Sequence, residues 1–254
     1  MRTALSEWTK LRTTASLWWT TALFIVFGVG FIGVFAVLAK KNQEADVPAV
    51  MALSNVDDGI QPIGLIILII QAIMVVTSEY RFNFIATTFQ TTPNRTYVAF
   101  IKWLVYAVFT AILTFLCLVA SISIVKGILP DSPFKLTDDD AVRLMWALPL
   151  EAVLVVTFAM AVAWLVRQTA GAVSIVLIWY LVLESLLVVV PKVGPKIHGY
   201  LPFVNLNAFY DKTDVPDIAW GYNGSLLYFV AWAVGLFVIC LLYTSPSPRD
   251  GLLS

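Results

Sequence analysis

Six apolar blocks dominate the chain: Leu17 to Ala39, Gly59 to Thr77, Tyr97 to Val125, Leu144 to Val166, Gly171 to Val190 and Ser225 to Tyr243. Each approaches or exceeds the roughly 20 residues that a helix needs to cross about 30 Å of hydrocarbon. Inside a bilayer every backbone N–H and C=O must be satisfied within the protein, so blocks of this kind fold as helices. The connectors between them hold most of the Pro, Asn and Asp, as expected where the backbone meets water again. With 60% hydrophobic and 13% charged residues in 254, an ordinary soluble domain is excluded. The pattern predicts an all-α membrane protein: a six-helix transmembrane domain over residues 17–243, an N-terminal interfacial helix over 1–16 and a tail over 244–254. The first block is too long for a secretory signal core and lacks a small-residue cleavage site, so it is expected to be retained.

Several functional classes fall away at the same level. Sixteen basic residues balance sixteen acidic ones, leaving no positive field to gather nucleic acid. Cys117 and Cys240 lie in apolar blocks without a His or acidic cluster, which supports neither a metal site nor a disulfide framework. His198, the single histidine, stands in a connector with no nucleophile pattern around it, and no catalytic residue is assigned. Gly28-Val29-Gly30-Phe31-Ile32-Gly33 spells the dinucleotide fingerprint, but it lies mid-block without a preceding strand, so these glycines are expected to serve close helix packing or a bend. The sequons at Asn94 and Asn223 are short enough to arise by chance.

An even number of spans places both termini on one side. Arg2, Lys10, Arg12, Arg81, Arg95, Lys102 and Arg167 are concentrated in short segments on one face, whereas the eight basic residues of the other face are spread over longer connectors with acids such as Asp138, Asp139 and Asp140. That density puts both termini inside. Ahead of the first block, Leu5, Trp8 and Leu11 recur near helical spacing, and Trp18 with Trp19 follow where the chain enters lipid. The expectation is an amphipathic helix in the headgroup layer with an aromatic anchor at its end.

The connector Thr77 to Arg95 then faces the cytosol. Phe82, Ile85, Ala86 and Phe89 fall at i, i+3, i+4 and i+7, one face of a short amphipathic helix. Ser78 is placed to cap its start, Glu79 suits its N-terminal dipole and Pro93 stops it. Its phenylalanines would either rest in lipid or fill a pocket on a cytosolic partner.

"SEWTKLRTTASLWW" before the first block, "SEYRFNFIATTFQTTPNR" leading to Lys102, and "LPFVNLNAF" before the last block resemble, in that order, the permease subunits of bacterial type-2 ABC transporters, particularly actinobacterial ones. The likeness covers the chain up to Ile239. It implies six spans in the plasma membrane with both termini cytoplasmic, and a coupling helix from Glu79 to Gln90 that inserts into a separate ATPase subunit through Glu79, Arg81, Phe82, Ile85 and Phe89. It further implies a second permease subunit, identical or different, an N-terminal helix on the inner leaflet, ATP and Mg bound by the partner rather than by this chain, and export as the direction of flux. "CLLYTSPSPRD", Cys240 to Asp250, resembles a translated sequencing adapter, so the natural sequence is expected to stop at or before Ile239.

Glu151 and Glu184 remain unexplained by packing. A carboxylate in hydrocarbon costs about 2.5 to 3.5 kcal/mol on insertion scales, so each is expected to face a cavity, a partner or another helix. They are candidates for the translocation path, against a purely structural hydrogen bond to a neighbouring helix. Two rival readings use the same residues differently: a proton-coupled secondary transporter working through Glu151 and Glu184, and a membrane scaffold that transports nothing. The proline-broken connector Val190 to Asn223 is expected to form short helical pieces packed on protein.

Overall fold

The computed structural model describes residues 2–44, 56–81, 95–130, 138–191, 194–215, 218 and 220–244, and among these no strand occurs. Helix α1 is Arg2–Thr13. Helices α2 (Ala15–Ile25) and α3 (Phe31–Glu44) are joined by a π-helical segment, Val26–Gly30. A second π segment, Ile60–Gly64, leads into α4, Leu65–Arg81. Then follow α5 (Arg95–Ile128), α6 (Asp139–Val166) and α7 (Thr169–Ile178). A third π segment, Trp179–Leu183, continues into α8 (Glu184–Val189). The chain closes with α9 (Gly194–Ile197), a 3-10 turn (His198–Tyr200), α10 (Pro202–Asp211) and α11 (Gly221–Thr244).

Five stretches are long and apolar enough to cross a membrane: Ala15–Asn42, Thr96–Ile128, Asp139–Val166, Thr169–Val189 and Gly221–Leu242. They correspond to five of the six blocks, and the described residues are all-α, consistent with a multi-pass membrane protein. The second block is helical but is not among the five. The α-helix it enters, the 17 residues of α4, which continue past the block to Arg81, reaches roughly 26 Å at the helical rise and falls short of the hydrocarbon thickness by itself. Helix α6 runs through Pro149 without interruption.

The chain divides into two compact units. One comprises Arg12–Gln71 and Val108–Val153. Of the fingerprint-like run only Gly28 acts in close packing, since a Cβ on Gly30 would meet nothing within 4 Å: a Cβ on Gly28 would stand 3.2 Å from Ile60, and one on Gly59 would stand 2.7 Å from the Gly28 carbonyl oxygen. Only glycine lets these two π-flanked segments meet backbone to backbone. Gln71 of α4, buried, donates from its amide to the Leu17 carbonyl (3.0 Å) and to the hydroxyls of Thr20 (2.7 Å) and Thr21 (2.9 Å) of α2. Such polar contacts hold helices together where lipid offers no hydrophobic drive.

The other unit comprises Met1–Leu11, Ala72–Ala107 and Leu154–Ser254. Its core is aromatic, with Phe158 edge-on to Trp179 at 5.6 Å and to Phe203 at 5.2 Å, and Phe203 against Phe229 at 5.4 Å. The connector Val190 to Asn223 does form short helical pieces: α9, the 3-10 turn and α10. Phe203, Leu206 and Phe209 of α10 are buried.

Candidate functional site

Helix α4 contains no Gly or Pro from Leu65 to Arg81, so its hydrogen-bond ladder runs on through Thr77 to Arg81. Ser78 therefore caps nothing. It lies inside the helix, and its hydroxyl donates back to the Val75 carbonyl at 3.4 Å. Glu79 and Arg81 occupy the last turn of α4 rather than the first turn of a new helix, which corrects the expected start at Ser78. Phe82, Ile85 and Phe89 lie outside the described residues.

A carboxylate in the last turn of a helix opposes the macrodipole and needs a cation. Glu79 has two. Its Oε1 accepts from Lys102 Nζ of α5 at 2.7 Å and from Lys10 Nζ of α1 at 3.2 Å. Glu7 of α1 completes the arrangement, bonded to Lys102 at 2.7 Å and to Lys10 at 2.6 Å. The four groups form a closed ring of alternating charge, Glu7–Lys102–Glu79–Lys10, with no net charge. Glu7 is 1% and Lys102 5% exposed, so each needs an opposite charge beside it, and the ring gives each of them two.

The ring also fixes how α1 is turned. Glu7 and Leu11, four residues apart, face the protein, whereas Leu5 and Trp8 face outward with Arg12. The expected apolar stripe Leu5–Trp8–Leu11 is thus divided between two faces, because pairing of Glu7 decides the rotation.

Burial pushes the Glu7 carboxyl up, but the Lys102 charge and the hydrogen bonds from Lys10 and Lys102 outweigh it and hold Glu7 below the ordinary glutamate value. Burial pulls Lys10 down, and its bonds and charges from Glu7 and Glu79 outweigh that and raise it. A lowered acid stabilises the fold fully above its unfolded value and loses that contribution as pH falls through the folded value. A raised base does so fully below its unfolded value and loses it as pH rises through the folded one. Thermal stability of the purified protein is therefore expected to plateau between about pH 5 and pH 10 and to decline outside that window. A peak confined to either end would contradict the assignment.

The opposite flank of the same helix end is also held. The hydroxyls of Thr77 and Thr169 are 2.7 Å apart, and the Arg167 guanidinium lies over the Tyr80 ring at 5.7 Å. Arg167 has a left-handed backbone, φ 57°, at the tight turn between α6 and α7. Helix α1, the end of α4, the start of α5 and the α6–α7 turn therefore share one end of this unit.

Glu184 and Glu151 belong to different units, and each has a partner of its own. Glu184 caps a helix. Its Oε1 accepts from the Phe203 backbone N–H (3.1 Å) and from Trp179 Nε1 (2.9 Å), and its Oε2 accepts from the Val204 N–H (2.8 Å). Helix α10 begins Leu201-Pro202, with no Ser, Thr, Asp or Asn as its own cap. Pro202 has no N–H to satisfy, Phe203 and Val204 bond to Glu184, and the Asn205 N–H reaches the Leu201 carbonyl at 3.2 Å. Asn205 itself is fully buried, donating to the carbonyls of Gly199 and Leu201 and accepting from Trp220 Nε1. Glu151, 1% exposed, accepts from the Gln61 amide at 3.4 Å.

Glu7 and Lys10 were not singled out by the sequence patterns, and Lys102 was read only as part of the inner-face charge. A lysine at the sixth position of an apolar block announces a buried partner. Which acid answers it is a tertiary matter. Among the described residues no three His, Cys, Asp or Glu side chains are grouped as a metal site. No known family model matches the chain, and no curated protein matches it at a significant level.

Proposed function

We propose that the chain is the membrane-spanning permease subunit of an ATP-driven type-2 ABC exporter in a bacterial plasma membrane, with six spans and both termini cytoplasmic. The second span is then the π segment Ile60–Gly64 together with α4, since the extra turn brings α4 to the needed length. ATP and Mg are bound by a separate ATPase subunit, and a second permease subunit, identical or different, completes the path. Residues 82–94 dock in the ATPase, with Phe82, Ile85 and Phe89 as anchors. ATPase closure favours one permease state by differential binding, and that bias drives alternating access.

The observation that carries this reading is the convergence on the ring. The helices on either side of residues 82–94 are tied to each other through Glu79 and Lys102, and to α1 through Glu7 and Lys10. A segment held by both ends at a braced helix terminus is suited to receive a push. A carrier driven by protons alone has no use for such a brace, and Glu184, one of its two proposed proton sites beside Glu151, is committed to capping α10.

Co-purification from native membranes tests the proposal. An ATPase subunit is expected to accompany the chain and to be reduced at least tenfold by Phe82→Asp or Phe89→Asp, since a hot-spot aromatic is worth about 2 kcal/mol or more. Undiminished association in both variants would refute the assigned contact.

A further inference from the structure

The two sides of the ring are each neutral without the other. Glu79 and Lys102, on α4 and α5, pair at 2.7 Å, and Glu7 and Lys10, both on α1, pair at 2.6 Å. Two further bonds cross between the sides: Glu7 to Lys102 at 2.7 Å and Lys10 to Glu79 at 3.2 Å. Opening the crossing bonds leaves one ion pair on each side and no uncompensated charge in the interior. Opening an ordinary buried salt bridge strands a charge on either side, which is what makes such a bridge so costly to break.

Apolar burial along α1 is slight. Of its larger apolar side chains Leu11 is buried, whereas Leu5 is 65% and Trp8 42% exposed. A single buried leucine contributes a few kcal/mol at most.

We infer that the ring is a releasable latch between α1 and the base of the segment 82–94. Closed, α1 moves with the ends of α4 and α5 as one body. Open, α1 is free of them at no cost in net charge. The significance for transport rests on the reading that residues 82–94 receive the ATPase, because the latch then decides whether displacement of that segment is passed to α1. The latch itself needs no partner.

The test uses the full chain in lipid nanodiscs and the double variant Glu7→Gln/Lys10→Gln, which removes the α1 side and leaves Glu79 and Lys102 paired. Amide hydrogen exchange in residues 2–13 is expected to accelerate at least tenfold, while α4 and α5 keep their protection and Lys102→Arg keeps α1 protected. Unchanged protection of α1 in the double variant would overturn the latch. So would an equal loss across α4 and α5, because the charges would then hold the bundle and not α1. The two proposals fail separately. If no ATPase accompanies the chain while the double variant frees α1, the latch stands and the permease reading falls; if an ATPase accompanies it and is lost in Phe82→Asp and Phe89→Asp while α1 stays protected, the reverse holds.

Discussion

Glu184→Leu is expected to destabilise the protein by about 2 to 6 kcal/mol. The substitution strands the N–H groups of Phe203 and Val204 beside a buried carboxylate position, and each orphaned donor costs about 1–3 kcal/mol. Attraction between the carboxylate and the α10 dipole is lost as well. No residue nearby in sequence replaces the cap, since Leu201 has no acceptor side chain and Pro202 fixes the start of the helix. The damage should spread from there, because Phe203 packs at 5.2 Å from Phe158, 5.1 Å from Tyr180 and 5.4 Å from Phe229. The C-terminal end of α10 is closed independently, by Lys212 in the left-handed conformation and by the Thr213 N–H on the Ala208 carbonyl. Hydrogen exchange should therefore rise most over residues 203–206. Glu184→Gln keeps one carbonyl oxygen and is expected to fall between wild type and Leu. Thermal unfolding in a mild detergent measures the series, and a Leu variant as stable as wild type would show that the cap carries no weight.

Lys102→Met is expected to be comparably severe, with a loss of about 3–5 kcal/mol, the usual result of removing one partner from a buried ionic group. Methionine keeps much of the stem's volume, so the effect isolates charge from packing. Two carboxylates, Glu7 and Glu79, would then share Lys10 alone, with Glu7 only 1% exposed. Lys102→Arg keeps the charge and can bridge both carboxylates with its fork, so it should lie within about 1 kcal/mol of wild type. Part of the Met deficit should be regained at acid pH, where Glu7, no longer held low by the Lys102 charge, takes up a proton and the excess negative charge disappears. A Met variant with wild-type stability at neutral pH would mean that the ring is not an energetic unit.

What could be read in advance depended on the range of the interaction. The membrane-spanning helices were legible because hydropathy over some twenty residues has only one physical answer in a bilayer. The short helices of the Val190–Asn223 connector were legible too, from prolines set among apolar residues. Ser78 misled because a good capping residue is a cap only if the helix before it has ended, and nothing between Leu65 and Arg81 ends it. The rotation of α1 misled because apolar spacing ignored Glu7, whose partner lies 95 residues away in α5.

The sequence by itself determined that this chain is helical and that its helices are long and apolar enough to enter a membrane, through local propensity and the bilayer's demand for satisfied backbone groups. It also marked Glu151 and Glu184 as charges needing an explanation, because an ion is costly in hydrocarbon wherever it sits, and it placed Lys102 only among the inner-face charges. Only the tertiary structure decided what answers those charges: a helix start for Glu184, the Gln61 amide for Glu151, and a four-membered ring for Lys102. The strength of an ionic bond depends on separation in space and on exclusion of water, and neither quantity is encoded at any single position in the chain.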